Sequence, residues 1–325
     1  MKIAILSTSK NLYSTKSLYD AAQARGHEVI IVNHTKCSNL MEKGKPTVYY
    51  MGEALEDLDA IIPRIGASVT LFGTAIVRQF EMQKILTTAS AQAIEVSRDK
   101  LKSIQLFSML NIGIPKTVFA KFPKKDEIPG LIKHVGGAPL VIKLLEGTQG
   151  LGVVLAETRS AAKSVIDAFS SLEANILIQE FIEEAAGTDI RVIVVNGEVV
   201  AAMKRTGAEG DFRSNLHQGG KAEPIELNKK EKSAAIKAAK AVGLGVAGVD
   251  MLPSKRGPLI MEVNSSPGLQ GIEQSTGIDV AGKIIEYLEL KHKKRKKLSK
   301  KQEGIEPLEL ETYQDFVKAV ATAAE

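Results

Sequence analysis

Short apolar runs separated by polar, glycine-bearing turns set the rhythm of the first part of the chain. Ile3-Ala4-Ile5-Leu6 predicts a buried strand over 2–6. A helical spacing over 14–25, ended by Gly26, is followed by a second strand over 28–33. Another strand is expected at 59–63 and a long helix at 71–86. Strands alternating with helices imply a small α/β layer on a mostly parallel sheet, placed at residues 1–95.

From 96 to 185 the pattern predicts a helix over 97–111, with Ser97 as its N-cap and Gly113 and Pro115 beyond its end. An apolar strand (138–145), a returning strand (153–156), a helix capped by Thr158 (158–169) and a buried strand (175–181) follow. In residues 186–290 a hairpin turns at Asn196-Gly197, the favoured pair for a two-residue type I′ turn. Asn228 and Glu231 form a capping box at the head of a helix over 228–242. A last hairpin joins Val249-Asp250-Met251 to residues 259–264, and a closing helix is expected over 272–290. Residues 291–325 are a basic extension.

Composition narrows the class. A chain of 325 residues is long enough for two or three packed units. No apolar run is long enough to span a bilayer, and the opening strand lacks the marks of a signal peptide. A single cysteine, Cys37, excludes an internal disulfide and, with the absence of a signal sequence, points to a reducing, cytoplasmic setting. Five scattered histidines make a His/Cys metal site improbable. The net charge is +5; residues 291–325 carry 9 Lys/Arg against 6 Asp/Glu, which leaves +2 for the rest. That is not a nucleic-acid-binding composition along the whole chain.

Candidate chemistry concentrates on the last hairpin. Alternation puts Glu262 and Asn264 on one face, and a turn centred near Arg256 puts Asp250 opposite Glu262. Two carboxylates and an amide oxygen inside an apolar sheet call for a cation between them, and hard oxygen donors suit Mg²⁺ or Mn²⁺. The plainer alternative is a pair of edge carboxylates facing solvent. Lys143 lies within an apolar strand, where an ammonium needs an anionic partner, either a phosphate oxygen or a structural glutamate. The glycine-rich run 146–152 is either a phosphate-approaching loop or a hairpin turn; it is not a Walker A motif. The strand end at Glu180-Phe181 can offer backbone groups to a purine edge. Asp189 and Arg191 share a strand face, and the polar loop 207–220 carries Arg213, Ser214 and Asn215, suited to phosphate or metal oxygens. Arg64, after a strand end, is either a carboxylate clamp or an ordinary surface arginine.

Taken in order, these features resemble the ATP-grasp superfamily, and within it the RimK family of ribosomal-protein glutamate ligases. The likeness rests on Pro63-Arg64-Ile65-Gly66, Arg78-Gln79-Phe80-Glu81-Met82, residues 136–141, residues 146–150, residues 210–217, and Met261-Glu262-Val263-Asn264-Ser265-Ser266-Pro267-Gly268. It covers nearly the whole chain and implies an α/β and α+β architecture: an ATP-grasp fold with an N-terminal pre-ATP-grasp α/β domain. By the same resemblance Lys100 and Lys143 hold ATP phosphates, Glu180 and Phe181 face the adenine, and Asp189 takes the ribose. Arg213, Ser214 and Asn215 lie near the transferred phosphate; Asp250, Glu262 and Asn264 bind two Mg²⁺ or Mn²⁺ ions. The implied acceptor is the C-terminus of ribosomal protein six of the small subunit, the amine is free L-glutamate, and the assembly is a homotetramer.

The basic run 293–297 extends beyond the usual catalytic core of that family. It is either a solvated linker or an electrostatic grip on ribosomal RNA or an acidic product. Two rivals to the protein ligase stand beside it: a ligase for a small-molecule carboxylate, and a non-catalytic nucleotide- or RNA-binding module.

Overall fold

The computed structural model describes residues 1–145, 152–185, 187–208, 212, 214 and 219–302. Residues Met1–Leu288 form one compact unit and Glu289–Glu325 a second.

The chain begins with β1 (Lys2–Leu6), α1 (Tyr13–Ala24), β2 (Glu28–Val32), β3 (Cys37–Leu40), β4 (Thr47–Tyr50), β5 (Glu53–Ala54) and β6 (Ala60–Pro63). Next come α2 (Thr70–Met82), β7 (Leu86–Thr87) and α3 (Ala91–Arg98). Strands β2, β1, β6 and β7 form a parallel sheet in that order, as the apolar rhythm predicts. Strand order reverses between β1 and β6, and Arg64 follows the carboxyl end of β6, the place where open α/β sheets receive ligands. The small antiparallel sheet of β3, β4 and β5 was not foreseen, because its strands are short and half polar.

Two boundaries differ from expectation here. The helix expected over 71–86 stops at Met82, and Leu86–Thr87 joins the sheet as β7. Ser97 is not an N-cap: it lies inside α3, and its hydroxyl donates to the Ile94 carbonyl at 2.8 Å. The cap is Asp99, whose carboxylate accepts from the Lys102 N–H and starts α4 (Lys100–Met109). Ser and Asp two residues apart are both good caps, and only the break between the helices selects one.

The next sheet contains β8 (Thr117–Ala120), β9 (Leu140–Leu144), β10 (Val153–Ala156) and β11 (Ile176–Glu180), in the order β10-β9-β11-β8, with helices α5 (Ile128–His134) and α6 (Arg159–Ser171). Leu140, Ile142, Ile176 and Ile178 pack with Ile128, Ile132 and Ile166 into a core of their own. Alternation turns Val141 and Lys143 to the opposite face.

The last sheet takes the order β14-β13-β12-β15-β16. Its strands are β12 (Thr188–Val195), β13 (Glu198–Thr206), β14 (Lys221–Pro224), β15 (Val246–Leu252) and β16 (Leu259–Asn264), with α7 (Lys229–Ala241) between β14 and β15. Asn196 and Gly197 both have positive φ (54° and 76°), as the type I′ turn requires, and the Asn228–Glu231 capping box is present. One face of this sheet sends Val192, Val194, Val249 and Val263 into a core shared with Leu6, Ile61 and Phe80 of the N-terminal layer. The other sends Ile193, Val195 and Val246 against Ile3, Ile5 and Ile62. The N-terminal layer and the last sheet are therefore bound through two shared cores, whereas the middle sheet has its own.

The closing helix expected over 272–290 is two helices, α8 (Gln270–Thr276) and α9 (Val280–Gln302). Gly277 adopts the left-handed conformation (φ 70°) that ends a helix, and its N–H donates to the Glu273 carbonyl.

Candidate active site

The polar half of the last sheet is built by cross-strand register. Asp250 on β15 lies opposite Glu262 on β16 and opposite Arg191 on β12, and Asp189 lies opposite Arg205 of β13. Asn264 is paired with Gly248, on the same face as Glu262. The expected Asp250–Glu262 pairing is thus present, and a bulge lies next to it, between Asp250 and Met251.

The cations beside Asp250 are protein groups that spacing alone did not identify. Arg191 grips Asp250 in a fork, Nε to Oδ1 at 2.7 Å and Nη2 to Oδ2 at 2.5 Å. Arg205 adds a contact at 3.0 Å and itself forks onto Asp189. Burial alone would raise the Asp250 pKa, but Arg191 and Arg205 outweigh it and hold the carboxyl down to about 2. The argument that buried carboxylates need a cation holds; arginine fills that need at Asp250.

The same network encloses Asp189. Asp189 is 2% exposed, both its oxygens accept from Arg205, and the Ser214 hydroxyl donates to it as well. Asp189 and Asp250 are thus held side by side in the sheet by the same pair of arginines.

Glu262 is handled differently. Asn264 donates to it at 3.0 Å, which leaves the Asn264 amide oxygen turned to other use. Its charge supports the protonated forms of Arg98, Lys100 and Lys143, three cations from three other elements. The Lys143 ammonium donates to the Gln179 amide oxygen at 2.7 Å, and Gln179 in turn donates to Thr117. Burial, only partly offset by Glu262 and reinforced by Lys100, pushes Lys143 down to about 8. Burial lowers Lys100 as well. Among the described residues no group of three or more His, Cys, Asp or Glu is arranged to hold a metal, so any ion here relies on Asp250, Glu262, the Asn264 oxygen and ligands brought by a substrate.

At the edge of this cluster, Arg64 donates to the Pro267 carbonyl and Arg98 to the Ile65 carbonyl, each at 2.7 Å. The Ser266 hydroxyl meets the Pro63 carbonyl at 3.4 Å, fastening the loop after β16 to the end of β6. Arg98 was missed by sequence reading; its place at the end of a helix that was itself not foreseen is the reason.

The Glu180 carboxylate is taken up by protein groups. It accepts from the Lys116 N–H at 2.6 Å and from Arg256, and its own N–H is taken by the Lys116 carbonyl. Phe181 meets Phe212 edge to face, with ring centroids 6.5 Å apart, an aromatic contact that carried no sequence signal. Arg213 and Asn215, and the run 146–151, lie outside the described residues. No helix among the described residues is long and apolar enough to cross a membrane.

A parallel N-terminal layer, a middle sheet carrying Lys143, and a late hairpin carrying Asp250, Glu262 and Asn264 define the ATP-grasp class: the protein is an ATP-dependent ligase that forms C–N bonds. The particular family is equally plain. Residues 1–94 match the RimK PreATP-grasp domain and residues 97–288 the RimK-like ATP-grasp domain, so the chain belongs to the RimK family. It is 61% identical over 289 residues to a protein of Picosynechococcus sp. named "Probable alpha-L-glutamate ligase", covering 89% of this chain and 95% of that one. A Shewanella loihica protein of the same name is 60% identical over 90% of this chain and 97% of its own. Among solved structures, the ATP-grasp ligase PsnB complexed with a phosphomimetic variant of its minimal precursor, Mg and ADP has a TM-score of 0.70 at 18% identity, over 90% of this chain and 98% of that one. The family match ends at residue 288, before the basic run.

Proposed function

We propose that this enzyme joins the amine of free L-glutamate to the C-terminal carboxylate of a ribosomal protein of the small subunit, and adds further glutamates to the product. The names of the curated relatives support glutamate as the amine. The observation that carries the reading is the gathering of Arg98, Lys100 and Lys143 around Glu262, next to an amide oxygen. Such a site suits a polyanionic triphosphate.

A carboxylate does not react with an amine because its oxygen is a poor leaving group. Phosphorylation by ATP makes an acyl phosphate, which the amine attacks, with release of ADP and phosphate. Lys100 and Lys143 neutralise phosphate oxygens, and Arg213 and Asn215 are assigned to the transferred group. Glu262, Asn264 and Asp250 have the hard oxygen donors that Mg²⁺ or Mn²⁺ prefers, and the arginine fork keeps Asp250 ionised. Bound there, one or two such ions would neutralise phosphate charge.

The test is to incubate the protein with ATP, Mg²⁺, glutamate and candidate acceptors and to weigh the products. Mass increments of one glutamyl residue on the C-terminus of a ribosomal protein are expected. Turnover only with a small-molecule carboxylate would replace the acceptor, and no ATP-dependent ligation with any acceptor would end the proposal.

A further inference from the structure

Two arginines stand beside the phosphate-facing lysines, and the chemistry above does not use them. Arg64 and Arg98 are each fastened by one Nη2 to a backbone carbonyl, of Pro267 and of Ile65. Arg98 is thereby anchored to the residue next to Arg64, and its charge acts directly on the Arg64 guanidinium. Each has five N–H donors, and a single bond to a carbonyl leaves most of them unspent. The Nε of Arg98 is buried with no hydrogen-bond partner. Among the described residues neither arginine has a carboxylate within salt-bridge distance; the nearest acidic influence on Arg98 is Glu262. Burial, reinforced by proximity to Arg98, lowers the Arg64 pKa to about 10, which still leaves Arg64 charged near neutrality.

Holding two like charges together out of water is unfavourable unless an anion joins them. The late sheet shows what this protein does when the anion is its own: Arg191 and Arg205 each fork onto an aspartate. At the junction the fold supplies guanidinium groups with no aspartate forked onto them among the described residues. Planar forks of this kind match a carboxylate better than they match a single phosphate oxygen.

We propose that Arg64 and Arg98 form a clamp for a carboxylate of the acidic substrates that stays unreacted while the neighbouring group is joined. The inference rests on the ligase reading above and deepens it. A reacting carboxylate gripped by two arginines would lose nucleophilicity, so the clamped group is a spectator. It belongs either to the incoming glutamate or to the acidic end of the acceptor. Its function is to aim the substrate and to select acids over amides.

Arg64→Gln, Arg98→Gln and Arg98→Lys should be compared with the wild type for KM values of glutamate, acceptor and ATP, with melting temperature as a check on folding. The expected result is a rise of about 10- to 100-fold in KM for one acidic substrate, with the ATP value nearly unchanged. A selective rise for glutamate assigns the clamp to the amine donor, and one for the acceptor assigns it to the growing tail. Replacing glutamate by its α- or γ-amide should cost the wild type much and the corresponding glutamine variant little. Arg98→Lys keeps the charge and a donor for Ile65 without the fork, and should fall between.

Glutarate, a dicarboxylate without the amine, gives a reading independent of turnover. It should bind the wild type in the presence of ADP and Mg²⁺ and bind the two glutamine variants at least tenfold more weakly. Unaltered KM values for both acids, a rise confined to ATP, or equal glutarate binding in all proteins would overturn the clamp. Failure of the wild type to ligate glutamate would count against the function itself, and the glutarate comparison would still decide the clamp.

Discussion

The late sheet and the junction in front of it both hold charge away from water, and they do so in opposite ways. In the sheet, Asp189 and Asp250 are locked into forks by Arg205 and Arg191, so each carboxylate there has a protein cation of its own. At the junction, Arg64 and Arg98 lean on carbonyls, Lys143 leans on an amide, and Glu262 is shared among three cations. The closed network fixes where the strands lie. The open one gathers positive charge, and burial lowers the pKa of Arg64, Arg98, Lys100 and Lys143 there.

The comparison is broken most severely from the sheet side. Arg205→Met should remove about 3–5 kcal/mol of stability, because it strands Asp189 as a buried, unpaired charge; urea unfolding measures the loss. If stability stays within about 1 kcal/mol of wild type, the network is not structural. Glu262→Gln should do the reverse, lowering kcat by about 10²–10³-fold with a nearly unchanged melting temperature. Its rate should no longer respond to Mg²⁺ concentration as the wild type does.

A third change tests the link between the regions. A methyl group on Gly248 would sit 2.7 Å from the Pro267 Cβ, the residue whose carbonyl anchors Arg64. Gly248→Ala should therefore cost about 1–3 kcal/mol of stability and raise the KM of an acidic substrate through the displaced anchor.

The smallest effect is read by pH. Lys143 is held down to about 8, below the ordinary lysine range, so in the empty site it loses its proton as pH rises through 8. Bound nucleotide favours the charged form, and nucleotide affinity should fall by up to about tenfold per pH unit above 8. Calorimetry should show proton uptake on binding at pH 9 and little at pH 7. The effect on folding has the opposite sign: below 8 the folded state bears a desolvated ammonium, and that penalty is relieved as pH rises. Lys143→Arg should flatten both dependences.

Much of this was legible in the chain. Alternation around Asp250 and Glu262-Val263-Asn264 determined that the three oxygen donors share a face, and Asn196-Gly197 determined the turn between β12 and β13, because both follow from the two-residue period and from local backbone preference. Six motif runs, from Pro63-Arg64-Ile65-Gly66 to the one around Glu262 and Pro267, together placed the chain in its family. What only the tertiary structure decided was the partner of each charge. Arg191, Arg205 and Asp250 are distant in sequence and meet through strand register, which gave Asp189 and Asp250 their arginine forks. Arg98 came to lie beside Arg64 through the docking of α3 against the end of β6. Periodicity specifies which way a side chain points; long-range packing alone specifies what it meets there.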